Sequence, residues 1–134
     1  FSNVYGEGQI ETGKYSTVIG IFQRQYKNKE LLTVVKPGTQ TRDFTHIDDT
    51  IDAIVLASQK GEGDGYVIRT GIQYGMIEVA EMFSDNYVLI PKQRGNRTVS
   101  SGNMEKMAEL GWKPNNNLKD YINVIKNWFT RILI

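Results

Sequence analysis

Cysteine is absent from the chain, which excludes disulfides, thiolate zinc centres and cysteine nucleophiles at once. A cysteine-free composition also fits a reducing compartment, and the cytoplasm is the expected location. Neither sign of charge is in excess. The 16 Lys and Arg nearly balance the 15 Asp and Glu, for a formal net charge of +1. That field is too weak to gather a nucleic acid. No apolar run approaches the roughly 18 residues that span a bilayer; among the longest is Ala53-Ile54-Val55-Leu56-Ala57. Neither nucleic acid nor membrane is therefore an expected partner. No basic segment followed by an apolar stretch opens the chain, so no signal peptide is expected. A G-x-x-x-x-G-K phosphate loop and a G-x-S-x-G nucleophile elbow are missing as well.

What is there suits a globular domain: 40% hydrophobic and 23% charged residues over 134 positions, enough to bury a core. We expect a single domain over residues 1–134. The chain opens on Phe1-Ser2-Asn3-Val4-Tyr5-Gly6, which reads as the end of a strand entering a loop. A piece of a longer protein is the expectation. Helical and extended patterns then alternate, which predicts an α/β class. Ser16 or Thr17 caps a first helix, with Val18, Phe22 and Tyr26 at helical spacing and Ile19 flanking them. Leu31 to Val35 is a short β-branched strand, Pro37-Gly38 a turn, and Arg42 to Ile47 extended. Asp48 or Asp49 opens a second helix with Ile51, Ile54 and Val55 as its buried stripe. Tyr66 to Arg69 reads as a strand. Met76, Val79, Ala80 and Phe83 mark a third helix, and Tyr87 to Ile90 a further strand. Asn103 caps a short helix that ends at Gly111, a left-handed cap followed by apolar Trp112. Asn117 starts a last helix with the stripe Leu118, Tyr121, Ile122, Ile125, Phe129 and Ile132.

The stretch from Gly38 to Asp49 is the richest in chemistry. Arg42 follows a turn, where a guanidinium can fork onto a phosphate pair; a surface ion pair with Asp43 is the alternative. His46-x-Asp48 is too short to specify a metal, which needs several converging ligands; a hydrogen-bonded structural histidine explains it. Asp48, Asp49 and Asp52 read as a solvated first helical turn rather than a magnesium cluster. No metal and no catalytic residue is assigned to this chain. Gly6-Glu7-Gly8 lacks the following helix and third glycine of a dinucleotide loop. Arg94-Gly95-Asn96-Arg97 is either an anion-binding loop or a basic loop facing water. Trp112, Tyr121, Trp128 and Phe129 belong to core or interface.

Three of these segments carry a resemblance. Ser2-Asn3-Val4-Tyr5-Gly6-Glu7-Gly8-Gln9 resembles the N-V-Y-G-P-x-Q segment of extended short-chain dehydrogenases/reductases. Gly38 to Asp49 resembles their G-x-x-x-R-D-F-x-x-V-D-D segment, and Asn103 to Pro114 their D-x-x-K-x-x-x-x-L-G-W-x-P segment. Order and spacing agree across the chain, and nucleotide-sugar 4-epimerases and 4,6-dehydratases are the members it is most similar to. The resemblance implies a partial extended fold of substrate-side helices and short strands, lacking most of the N-terminal Rossmann domain. That domain holds NAD and the family's Tyr-x-x-x-Lys pair; Lys14-Tyr15 has the wrong order and spacing. NAD is therefore expected in a full-length parent and not held by this chain alone. The implied partner is a nucleoside diphosphate sugar, UDP-sugars first, positioned for transient oxidation at the sugar C4. Asn3 and Arg42 match residues that grip the diphosphate, and Thr33 and Val35 lie on the strand beside the base. Gln93 stands where a second phosphate-binding arginine is common, and Arg94 and Arg97 flank it as substitutes. Glu7, Lys36 and Gly75 also depart from the pattern. The alternative is a non-catalytic, truncated or degenerate module acting through self-association or protein interaction. In either case open strand edges predict a homo-oligomer.

Overall fold

In the computed structural model of the protein, residues 3–13, 16–63, 65–91 and 104–132 are described. The elements run β1 (Asn3–Tyr5), α1 (Val18–Lys27), β2 (Leu32–Val35), β3 (Thr41–His46), α2 (Ile47–Lys60), β4 (Gln73–Gly75), α3 (Met76–Phe83), β5 (Tyr87–Ile90), α4 (Glu105–Glu109) and α5 (Leu118–Ile132). The chain is α/β, as its alternating patterns predict. One sheet has the order β1-β3-β4, with β1 and β3 parallel and β3 and β4 antiparallel. The other pairs β2 with β5 in parallel.

Local chemistry sets most boundaries. Thr17 begins α1 by accepting a hydrogen bond on Oγ1 from the Gly20 amide at 2.9 Å. The helix buries Ile19 and Phe22, while Val18, expected on the inner stripe, is exposed. α3 buries Met76, Val79, Ala80 and Phe83 as predicted; Gly75 has no side chain to cap it, and Glu78 instead reaches back to accept from the Gly75 amide. α4 ends on Gly111 at φ +92°, a left-handed turn a glycine adopts without strain. The Gly111 amide donates to the Ala108 carbonyl and the Trp112 amide to that of Met107, the paired bonds of a Schellman cap. Asn103, expected to start this helix, lies outside the described residues. Asn117 Oδ1 caps α5 by accepting from the Lys119 amide at 2.8 Å.

The larger core joins both sheets to α1, α3 and α5 through Tyr5, Phe22, Leu32, Val34, Phe44, Val79, Phe83, Leu118 and Ile122. A smaller cluster of Ala53, Ile68, Met107 and Trp112 packs α4 against α2.

Two expectations are corrected here. Ile51, Ile54 and Val55 do not form the buried stripe of α2; they are 49%, 45% and 47% exposed. The helix buries Asp49, Thr50 and Ala53 instead, on the opposite side of its wheel. The cause is polar. The Asp49 carboxylate accepts from the Asn116 amide at 2.9 Å and from its Nδ2 at 3.1 Å. The Trp112 indole donates to the Asp49 carbonyl at 2.9 Å. These bonds turn Asp49 inward, and the isoleucines follow the helix round to the outside. The residue before α2 is not a capping aspartate either: His46 is the cap, its Nδ1 accepting from the Asp48 amide at 3.0 Å.

Tyr66 to Arg69, expected as a strand, joins no ladder. Side chains rather than strand pairing hold this segment. Ile68 is buried in the small cluster, and the residues after it are tied to Asp43.

Candidate functional site

β3 is the spine of the site. Its side chains alternate between faces, so Arg42, Phe44 and His46 share one face while Asp43 and Thr45 take the other. In the parallel register Asn3 sits opposite Phe44 and Tyr5 opposite His46. Tyr5 and His46 meet edge to face with centroids 5.2 Å apart, which fixes β1 and β3 side chains on a common side. Asn3 and Arg42 therefore lie on the same face of neighbouring strands. Asn3 is exposed and its Nδ2 donates to the Asp43 carbonyl at 3.4 Å. Arg42 is half-buried and donates from a guanidinium nitrogen to the Thr41 carbonyl at 2.8 Å. Burial pulls the Arg42 guanidinium below its ordinary value, and it stays charged at neutral pH. Tyr74 of β4 faces Arg42 across the antiparallel pair; burial, then Glu78, raises its phenol.

Asp43 does not pair with Arg42. Its carboxylate is fully buried on the other face. It accepts from the Thr70 amide at 2.9 Å, the Thr70 hydroxyl at 2.6 Å, the Gly71 amide at 2.6 Å and Arg69 Nε at 3.3 Å. A buried carboxylate is tolerated only when so satisfied, and the effect is to pin residues 69–71 beneath β3. Sequence alone gave no sign of this, because the partners lie 26 to 28 positions away.

Thr33 and Val35 sit on β2, in the other sheet. Here two glutamines reach the strand. Gln25 of α1, only 5% exposed, accepts from the Thr33 amide at 3.1 Å and donates to its hydroxyl at 2.9 Å. Gln40 Nε2 donates to the Val35 carbonyl at 2.9 Å. The turn between β2 and β3 links the Thr33–Val35 edge to Arg42 in the chain. Arg94 and Arg97, and Gln93 between them and β5, lie outside the described residues.

Other candidates resolve more simply. His46 is a hydrogen-bonded cap, and Asp49 is consumed by Asn116. Among the described residues no group of His, Cys, Asp or Glu side chains could hold a metal ion. A cleft of about 190 Å³ lies between Phe44, Thr70, Tyr74, Asn117 and Leu118, below the roughly 300 Å³ at which ligand pockets of this kind begin. Gly6 and Gly8 do not fit a dinucleotide loop. The helix after them starts only at Val18, and its capping hydroxyl is already bonded to Gly20. Among the described residues, no helix is long and apolar enough to cross a membrane.

Comparison with known proteins agrees with this architecture. A curated relative, dTDP-L-rhamnose 4-epimerase of Burkholderia thailandensis, is 30% identical over 98% of this chain and 39% of its own length. The putative UDP-glucose 4-epimerase of Methanocaldococcus jannaschii is 28% identical over 96% of this chain and 43% of its own length. The chain thus spans about two fifths of the curated relatives it matches. The UDP-glucose 4-epimerase of Thermotoga maritima, solved with UDP-glucose, superposes with a TM-score of 0.86 at 26% identity, over 99% of this chain and 45% of that one. The family profile described as NAD dependent epimerase/dehydratase matches residues 1–68. With half the chain under that profile and the whole of it laid on the extended short-chain dehydrogenase/reductase fold, this chain belongs to the NAD dependent epimerase/dehydratase family.

Proposed function

We propose that this chain is the nucleotide-sugar-binding side of an epimerase or dehydratase, positioning a nucleoside diphosphate sugar for transient oxidation at the sugar C4. The observation that carries the reading is the placement of Asn3 and Arg42 on one face of β1 and β3. A half-buried guanidinium beside an exposed amide offers a diphosphate the charge-assisted, forked donors it needs. Thr33 and Val35 then meet the base, and Arg94 and Arg97 complete the anion site. Family members use NAD; this chain alone holds none. Its own part is binding energy remote from the reacting carbon. The likeness to a structure holding UDP-glucose makes UDP-sugars the first ligands to try. The cytoplasm is the proposed location.

Titration calorimetry with UDP tests this. Saturable binding is expected, weakened roughly ten- to a hundredfold by Arg42→Ala, the loss that fits removal of charge-assisted hydrogen bonds. Heat unchanged by the substitution would remove Arg42 from the site. Silence with UDP, dTDP and GDP alike, from a cooperatively folded protein, would favour the second reading: a non-catalytic module that self-associates. That reading has its own support in the exposed Ile51, Ile54 and Val55.

A further inference from the structure

The edge of β2 is a set of backbone groups, and side chains decide which of them remain available. The Leu32 amide donates to the Asn86 carbonyl at 3.0 Å and the Lys36 amide to the Ile90 carbonyl at 2.8 Å. In a parallel pair, residues alternate between facing the partner strand and facing away. Leu32 and Val34 therefore direct their amides and carbonyls to β5. Thr33 and Val35 direct theirs to the opposite edge, which has no strand beside it among the described residues. Gln25 takes the Thr33 amide and Gln40 the Val35 carbonyl. What remains is the Thr33 carbonyl and the Val35 amide, one acceptor and one donor on either side of Val34.

We propose that Gln25 is a positioning residue for nucleotide binding: it blocks one half of the Thr33 backbone and fixes the strand edge so that the Thr33 carbonyl and Val35 amide meet the base. Glutamine is an unusual residue to bury. At 5% exposure it is tolerated because both ends of its amide are bonded to Thr33, Oε1 by the amide and Nε2 at the hydroxyl. A leucine in its place would fill the volume and leave the Thr33 amide without a partner. The strand would then be free to turn, or the base would be met by a donor it does not need. This rests on the reading of the chain as a nucleotide site. It adds a residue that does not touch the ligand and acts only through Thr33.

The experiment compares Gln25→Leu and Gln25→Glu with the parent chain, using UDP and inorganic pyrophosphate as separate probes. Glutamate can keep both bonds, accepting from the Thr33 amide and, with the hydroxyl reversed, from Thr33 Oγ1. Amide hydrogen exchange at Thr33 is read in parallel. The proposal expects Gln25→Leu to speed exchange at Thr33 and weaken UDP about tenfold while pyrophosphate binding is unchanged; Gln25→Glu should recover much of the UDP affinity. Equal weakening of both probes would show a structural role only and overturn it. So would an unchanged UDP affinity in a folded Gln25→Leu protein, or, should that variant not fold, a Gln25→Glu protein that loses both probes together. A parent chain that binds pyrophosphate or nothing, and never UDP, would instead sink the nucleotide reading and this proposal with it.

Discussion

Tyr5 carries a phenol hydroxyl that is buried and has no hydrogen-bond partner among the described residues, on a side chain only 1% exposed. An unsatisfied buried polar group costs about 1–3 kcal/mol. Its ring, by contrast, is well used, meeting His46 at 5.2 Å and Tyr121 at 5.1 Å. Tyr5→Phe keeps those contacts and removes the orphan, so urea unfolding at neutral pH should show a gain of up to about 1 kcal/mol. The same substitution has a signature in alkali. Burial, then Asp49, raises the Tyr5 phenol above its ordinary 10.0. Tyr121 is pushed up to about 12, by burial and then Glu7 and Glu11, against a hydrogen bond from Gln9 that lowers it. A phenol that holds its proton more tightly when folded stabilises the fold below its unfolded value. That contribution is lost as pH rises from about 10 towards 12. Melting temperature should therefore fall over that window, and Tyr5→Phe should fall less; an alkaline slope identical in both proteins would mean Tyr5 is not a source of it. None of this could be read from the sequence, where Tyr5 is one residue of a motif with no indication of its depth. Gln25 was equally silent: its partner Thr33 is eight positions on, and periodicity assigns a face to a residue but not a bond.

At the scale of elements, the helices whose inner faces are purely apolar were legible. α3 buries the side chains its spacing predicts, and α5 buries Leu118, Tyr121, Ile122 and Phe129 with Ile125 half-buried, because no charged group competes for the inward direction; the Ile132 side chain lies outside the described residues. α2 was misread for the complementary reason. Its apolar residues outnumber its inward ones, and a hydrophobic stripe was the only signal available, yet Asp49 decides the rotation. The carboxylate joins α2 to the segment after α4 through Asn116, and the Trp112 indole closes on the Asp49 carbonyl. The segment Tyr66 to Arg69 likewise forms no strand: Ile68 is buried in the small cluster, and the Arg69 side chain and the Thr70 and Gly71 amides just after it are bound to the buried Asp43 carboxylate. Asp49→Ala leaves the Asn116 amide without its acceptor and should destabilise the protein by about 2–4 kcal/mol. Asp49→Asn keeps one acceptor oxygen and should lose clearly less. If alanine and asparagine cost the same in denaturant unfolding, the carboxylate is not what orients α2.

The molecule as a whole leaves surface that a self-sufficient domain would cover. Among the described residues β1 is the edge of its sheet, paired with β3 on one side only. α2 packs against β1 and β3 and turns Ile51, Ile54 and Val55 outward together. An open strand edge beside an apolar helix face invites association, and a second copy of this chain is the partner always present at its own concentration. We expect light scattering behind size exclusion to show a concentration-dependent rise above the 15.2 kDa of one chain. The double substitution Ile51→Lys and Val55→Lys should return it to the monomer. Because both side chains are already half exposed, the melting temperature of the dilute protein should change little, which separates a lost interface from a damaged core. The same variant also weighs the two functional readings. Asn3 and Arg42 lie on β1 and β3, away from the outward face of α2, so a nucleotide site built on them should bind UDP equally well in the monomeric variant. Binding that disappears with the association would mean that the site is completed across two copies.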